Sequence, residues 1–334
     1  MESIYYKREK SSKGRVFVVL AGFLSVALIV IFVLKNVIPL GDLKMIGGFI
    51  KPGEKDNKKY YETLINYYDP EPTWNPGGSF GTDTAPEVVA ENAILVDLDS
   101  GKVLFEKDSK DVKEIASLVK IMTAVVALEH KSLDHEITIS KKAAGIGENI
   151  MGISARERYS LEELLYGLLL PSGNDAAFAI SEGVAGDVDT FVTWMNLKSD
   201  ELGLKNTKFF DPSGLDDTTK SSAADLIKLA RYAMKNPKFR KVVGTYEIEL
   251  DPSEKHKYIY LWNQTNLLTT YPGVEGIKTG FTEDSGLCLV TYAKKDGKEV
   301  IGVVLNSVDR KGDMILMLDH GFSTLGVSVE HSLL

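Results

Sequence analysis

The sequence predicts a mixed α/β (α+β) domain whose mainly antiparallel sheet is flanked by helices. Three observations predict it: an early strand–turn–strand, a long helical middle, and a late return to strands closed by a helix. Asn92-Ala93-Ile94-Leu95-Val96-Asp97-Leu98 and Val103-Leu104-Phe105-Glu106 flank the turn Asp99-Ser100-Gly101-Lys102, the pattern of a hairpin. Between residue 115 and about residue 240 the apolar spacing is mostly helical, over 115–128, 161–170, 175–185, 189–202 and 223–235. Pro171 and Gly173 force a loop between the second and third of these, because proline ends a helix and glycine favours a turn. The residues of 274–281, 286–293 and 299–306 are β-rich, and a closing helix is expected over 310–325. Continuous apolar runs such as Leu287-Cys288-Leu289-Val290 and Val300-Ile301-Gly302-Val303-Val304-Leu305 suit strands covered on both faces. Two early and three late strands then form one five-stranded sheet, with the intervening helices as a subdomain.

The residues before this domain read differently. Lys7, Arg8, Lys10, Lys13 and Arg15 precede 19 uncharged residues, Val16 to Leu34. As a helix that run is about 28 Å long, close to the roughly 30 Å hydrocarbon core of a bilayer. No small-residue cleavage site follows, so an uncleaved anchor is expected over 16–35. The basic tail, 1–15, is expected in the cytoplasm, which places the catalytic part outside the cell membrane. Residues 36–87 are rich in Gly, Pro, Asp and Asn and read as an extracellular spacer. Within it, Tyr60 to Tyr68 suggest a short helix lying on either the membrane interface or the domain. The folded domain is expected over 88–325, with 326–334 a tail.

Composition excludes several functions. The 334-residue chain carries a formal charge of −8, so no nucleic-acid partner is expected. A lone cysteine, Cys288, allows no intramolecular disulfide and reads as core filler. The five histidines are scattered, and neither a metal nor a cofactor is expected.

Chemistry concentrates in three stretches. In Ser117-Leu118-Val119-Lys120, residues three apart share a helix face, placing a hydroxyl beside an amine. That is a nucleophile with a possible base, although an N-cap serine and a snorkelling lysine give the same pattern. Ser172-Gly173-Asn174 projects a hydroxyl and an amide from the interhelical loop, where Ser172, Asn174 or Asp175 alternatively caps the next helix. Lys278-Thr279-Gly280 lies on a strand, where an edge lysine and a glycine bulge are the alternative.

Ser-x-x-Lys, Ser-Gly-Asn 55 residues later and Lys-Thr-Gly 106 residues after that follow the order known from penicillin-recognising serine enzymes. With Asn92 to Glu106, Leu164 to Ala177, Glu201 to Thr207, Asp211-Pro212-Ser213-Gly214-Leu215 and Tyr271 to Gly280, residues 88–325 closely resemble the D-alanyl-D-alanine carboxypeptidase family of low-molecular-mass penicillin-binding proteins. The resemblance implies a β-lactamase/transpeptidase-like fold. It also implies a Ser117 acyl-enzyme formed on peptidoglycan stem peptides ending in D-Ala-D-Ala, and acylation by β-lactams. Lys120 is then the base, Ser172 a proton relay and Asn174 the holder of Lys120 and the substrate amide. Lys278 and Thr279 bind the terminal carboxylate, Gly280 admits the peptide along the strand edge, and the N–H groups of Ser117 and Phe281 meet the oxyanion.

For the base to act, the Lys120 pKa must fall from about 10.4 to about 7, with burial and the charge of Lys278 as the expected sources. Arg310 reads as a surface helix cap, with a second carboxylate contact as the alternative. Family members usually attach through a C-terminal amphipathic helix, often behind a β-domain. Here the N-terminal segment is expected to replace that anchor. The alternatives are a β-lactamase, with Glu201-x-x-Leu204-Lys205 one residue away from the needed motif, and a non-turnover β-lactam sensor or wall-binding protein.

Overall fold

The computed structural model describes residues 55–66, 74–78, 85–265 and 267–333. The expected anchor lies outside them, and among the described residues no helix is long and apolar enough to cross a membrane.

The central sheet has five strands: β1 (Asn92–Asp97), β2 (Val103–Lys107), β3 (Val274–Thr282), β4 (Gly286–Lys295) and β5 (Lys298–Ser307). Their order is β2-β1-β5-β4-β3, and every pairing is antiparallel. Side chains alternate across a strand, and both faces here are apolar. Ile94, Val96, Cys288, Val290, Ile301 and Val303 enter the core on one face. Ala93, Leu95, Leu289, Val300 and Val304 enter the core on the other. The continuous apolar runs in the sequence therefore mark a sheet covered twice, and Cys288 is buried core as expected.

Helices α1 (Lys55–Thr63), α2 (Lys120–His130), α3 (Leu161–Leu169), α4 (Asn174–Ala185), α5 (Val188–Glu201), α6 (Ala223–Met234), α7 (Pro237–Val243) and α8 (Arg310–Thr324) complete the frame. Met314, Ile315, Leu318 and Phe322 of α8 fill the second core, while α2 to α7 build the first. The boundaries follow local chemistry. Ser160 and Glu163 form a reciprocal capping box at the start of α3, and Gly186 ends α4 in a left-handed conformation, φ 100°.

Two features differ from the sequence reading. The helix expected from residue 115 begins as a 3₁₀ turn, Ala116–Val119, and becomes α-helical only at Lys120. Two stretches of the expected spacer also pack on the domain. Tyr60 is fully buried, its ring 4.8 Å from that of His130 and 5.9 Å from that of Trp194. The Ile65 and Asn66 amides donate to the Glu129 carbonyl at 2.8 and 3.0 Å, and Asn66 Nδ2 donates to the Leu128 carbonyl at 2.9 Å. These bonds satisfy the orphan carbonyls at the end of α2. Further along, the Arg231 guanidinium lies 4.5 Å from the Trp74 ring centre, and Val103 donates to the Gly78 carbonyl at 3.1 Å.

Candidate active site

The site forms where α2, the α3–α4 loop, residues 211–214 and edge strand β3 meet. Ser117 stands on the 3₁₀ turn and Lys120 on the first turn of α2. A 3₁₀ turn has three residues per turn, so positions i and i+3 eclipse, and Lys120 Nζ donates to Ser117 Oγ at 2.9 Å. Ala116, immediately before the serine, holds φ 45°, a left-handed conformation costing a non-glycine residue roughly 1–3 kcal/mol.

Lys120 is fully buried. Its ammonium also donates to Asn174 Oδ1 at 2.8 Å and to the Ser213 carbonyl at 2.6 Å. Among the described residues no carboxylate touches it. Burial pushes its pKa down to about 7, while the more distant Asp211, Asp175 and Glu148 pull it upward.

The charge of Lys278 was expected to share in lowering Lys120, but burial is the cause that acts on Lys120. The repulsion falls instead on Lys278, which burial, Lys120 and Arg310 together hold well below the ordinary lysine value. Lys278 is buried and, among the described residues, donates to its neighbour's carbonyl alone, Thr279 O, at 2.9 Å. An arriving carboxylate would raise its pKa again.

The α3–α4 loop supplies the second motif. Gly173 is the N-cap of α4 and no side chain caps it there. Asn174 instead aims Oδ1 at Lys120 and Nδ2 at the Gly147 carbonyl, 3.2 Å away. The Asp175 carboxylate accepts from the amides of Met151, Gly152 and Ile153 at 2.7, 2.8 and 3.2 Å. It thereby fixes the segment facing Asn174. Ser172, at φ 65°, has a buried Oγ with no hydrogen-bond partner. A buried, unpaired hydroxyl on a strained residue is suited to a group that arrives with the substrate.

Strand β3 is the sheet edge. A Cβ on Gly280 would stand 3.0 Å from the Ile115 carbonyl and 3.3 Å from Ala116 Cβ, so a side chain here would push the strand away from the Ser117 turn. Thr279 is buried and Phe281 is 61% exposed. Arg310 is not a surface cap: its guanidinium donates to the Gly280 carbonyl at 2.7 Å and the Cys288 carbonyl at 3.3 Å. Asp309 caps α8 instead.

The structure thus brings Ser117, Lys120 and Asn174 into direct contact, with Lys278 close enough for the two lysines to feel each other's charge. Residues 211–214 also belong to the site, which their sequence alone does not show. Asp211 gathers the amides of Ser213, Gly214 and Leu215 at 3.0, 3.0 and 3.2 Å, which turns the Ser213 carbonyl toward Lys120. Gly214, φ 84°, passes so close that a Cβ would lie 2.1 Å from Ala116 O. Asp-Pro-Ser-Gly is legible as a turn, but nothing local says what the turn packs against.

A model of the D-alanyl-D-alanine carboxypeptidase family matches residues 80–309. The D-alanyl-D-alanine carboxypeptidase DacF of Bacillus subtilis is 36% identical over 243 residues, 70% of this chain and 62% of that protein. A D-alanyl-D-alanine carboxypeptidase from Streptomyces sp. K15 is 33% identical over 72% of this chain and 89% of its own length. The chain belongs to this family. The crystal structure of the Streptomyces K15 DD-transpeptidase superposes with a TM-score of 0.68 at 32% identity, covering 72% of this chain and 99% of that one. A solved D-alanyl-D-alanine carboxypeptidase from Mycobacterium tuberculosis gives the same TM-score, 0.68, over 75% of this chain and 96% of its own. Ser117, Ser172 and Lys278 each lie inside the matched region.

Proposed function

We propose that the protein is a membrane-anchored serine D-Ala-D-Ala carboxypeptidase that trims peptidoglycan stem peptides outside the cell and is acylated by β-lactams at the same serine. The observation that carries this is the 2.9 Å bond between Ser117 Oγ and an amine held near pKa 7. At about 10.4 fewer than roughly one lysine in a thousand is neutral at pH 7, whereas near 7 about half are.

Ser117 Oγ attacks the carbonyl between the two D-alanines and its proton passes to Lys120 Nζ. The oxyanion lies against the N–H groups of Ser117 and Phe281. As the C–N bond breaks, Lys120 returns a proton to the leaving amine through the Ser172 hydroxyl, and D-alanine departs. Water then attacks the ester as Lys120 takes its proton, and Lys120 passes that proton to Ser117 Oγ as the acyl C–O bond breaks, which frees the carboxylic acid and restores both groups. Lys278, recharged by the substrate's carboxylate, binds that tail with Thr279, and its renewed charge disfavours the Lys120 cation further. Asn174 holds Lys120 in line.

The β-lactamase reading lacks its base, since Glu201 is bonded to Lys198 at 2.7 Å and receives the Tyr60 hydroxyl at 3.2 Å. The uncharged run 16–34 supports the membrane location.

The test uses full-length protein in detergent with a soluble diacyl-Lys-D-Ala-D-Ala peptide, measuring released D-alanine. Wild type should release it and Ser117→Ala should not. Equal release from both, or none from wild type, overturns the reading. For the location, labelling of an engineered cysteine after residue 86 in intact cells should succeed with a membrane-impermeant reagent, and protection would reverse the proposed orientation.

A further inference from the structure

Away from the Ser117 site lies a two-stranded hairpin, Glu247–Leu250 paired with Ile259–Trp262. Its inner face buries Leu250, Ile259 and Leu261. Alternation therefore turns Glu247, Glu249, Tyr258, Tyr260 and Trp262 outward. Tyr246, Tyr258, Tyr260 and Trp262 are between 42% and 53% exposed, and the Tyr260 and Trp262 rings stack at 6.1 Å. Exposed aromatics in a contiguous stripe mark interaction surfaces.

This stripe is amphipathic rather than oily. The Tyr260 hydroxyl donates to Glu247, and the Glu249 charge acts on the Tyr258 hydroxyl. The rings are fixed, with carboxylates at their rims. A flat apolar face beside hydrogen-bond acceptors matches a sugar ring, whose C–H face packs on an aromatic while its hydroxyl and amide groups reach the rim. It matches an anionic lipid surface poorly, since Glu247, Glu249 and Asp251 are all exposed there and repel it.

The hairpin is also tied to the loop that carries Ser172. Just after Trp262, the Gln264 amide donates to the Leu170 carbonyl at 3.2 Å. Its side chain donates to the Pro171 carbonyl at 3.0 Å, next to Ser172. At the hairpin's other end Lys257 Nζ donates to Ser154 Oγ at 2.9 Å, adjoining the segment that Asp175 clamps.

We propose that this outer face, Tyr258, Tyr260 and Trp262 with Glu247 and Glu249, holds the amino-sugar strand to which the substrate's stem peptide is attached. The inference rests on the proposed function, because the strand and the peptide are parts of one polymer. The hairpin would then raise the local concentration of stem peptides at Ser117.

The test compares full-length wild type and Trp262→Ala, in detergent, on the soluble diacyl peptide and on glycan-linked pentapeptide polymer. Trp262→Ala should raise KM on the polymer about tenfold and leave KM on the soluble peptide within about twofold, with Trp262→Tyr restoring most of the loss. Equal changes on both substrates, or no change on the polymer, overturn the platform. A second readout needs no catalysis: β-1,4-linked N-acetylglucosamine tetramer should alter the fluorescence of Trp262 in inactive Ser117→Ala protein, and no change counts against the proposal. Absence of D-alanine release from either substrate would sink the enzyme reading while leaving that titration to decide the platform. If Trp262→Ala instead reduces binding to vesicles of anionic and zwitterionic lipid, the surface is a membrane contact and the proposal falls.

Discussion

Lys120 and Lys198 lie in the same helical core, and both are essentially fully buried, yet they end in opposite states. Around Lys120 the contacts are a hydroxyl, an amide oxygen and a backbone carbonyl, and burial brings it down to about 7. Lys198 stands between Glu129 Oε2 at 2.9 Å and Glu201 Oε2 at 2.7 Å. Burial pushes it down too, but the two carboxylates outweigh it and hold it above the ordinary lysine value. Desolvation is thus common to both, and the formal charge of the neighbours decides whether an amine becomes a base or a strut. Neutral acceptors orient Lys120 without fixing its proton.

The largest effect expected from this contrast is on chemistry. Arginine stays protonated at every usable pH, so Lys120→Arg should lose about 10³-fold in acylation by a β-lactam, measured by stopped-flow. An active arginine variant would reject Lys120 as the base. Lys198→Met should leave the pH midpoint of catalysis unmoved but strand Glu129 without its cation, at a cost of about 3–5 kcal/mol in stability. Chemical denaturation reads the loss; a stable variant would mean that the pair contributes little.

A smaller effect separates the lysines by pH. Acylation kcat/KM should fall about tenfold per unit below pH 7 as Lys120 gains its proton, and level off above. For stability, the unfolded chain holds the Lys120 proton up to about 10.4, whereas the folded chain releases it near 7. The unfolded state therefore binds more protons between these values, so the Lys120 contribution becomes more favourable as pH rises through that window. Lys198 has the opposite sign: its contribution is present below the ordinary lysine value and lost above its raised one. Stability against pH in Lys120→Met should lose the rising component, and an unchanged curve would break the comparison. Smallest is the exposed pair of Lys241 and Glu162, 2.9 Å apart. Lys241→Ala should change stability by less than about 0.5 kcal/mol, and a larger loss would show that pairing matters even in solvent.

Much of this was legible in the sequence where the signal is periodic. The strand–turn–strand of 92–106 and the apolar runs of β4 and β5 locate the sheet, because strands covered on both faces are written as continuous apolar residues. Ser117, Lys120, Ser172, Asn174 and Lys278 were legible as motifs at fixed spacing. Features made by distant segments meeting were not. The start of α2 reads early in the sequence because a 3₁₀ turn carries the same apolar residues as a helix. Arg310 looked like a cap because its partners, the Gly280 and Cys288 carbonyls, belong to two strands of the sheet. Helix α7 and the hairpin at 247–262 went unread, since charged and aromatic residues mask their short apolar faces.

The bonds from Ile65 and Asn66 to the end of α2 tie the residues that precede the domain to the helix whose opposite end carries Lys120. A recombinant version trimmed at residue 88, where the sequence places the start of the folded domain, would unplug Tyr60 from beside Trp194 and uncap the helix. Values taken from such a fragment would describe a loosened domain, and the version to express begins upstream of Lys55.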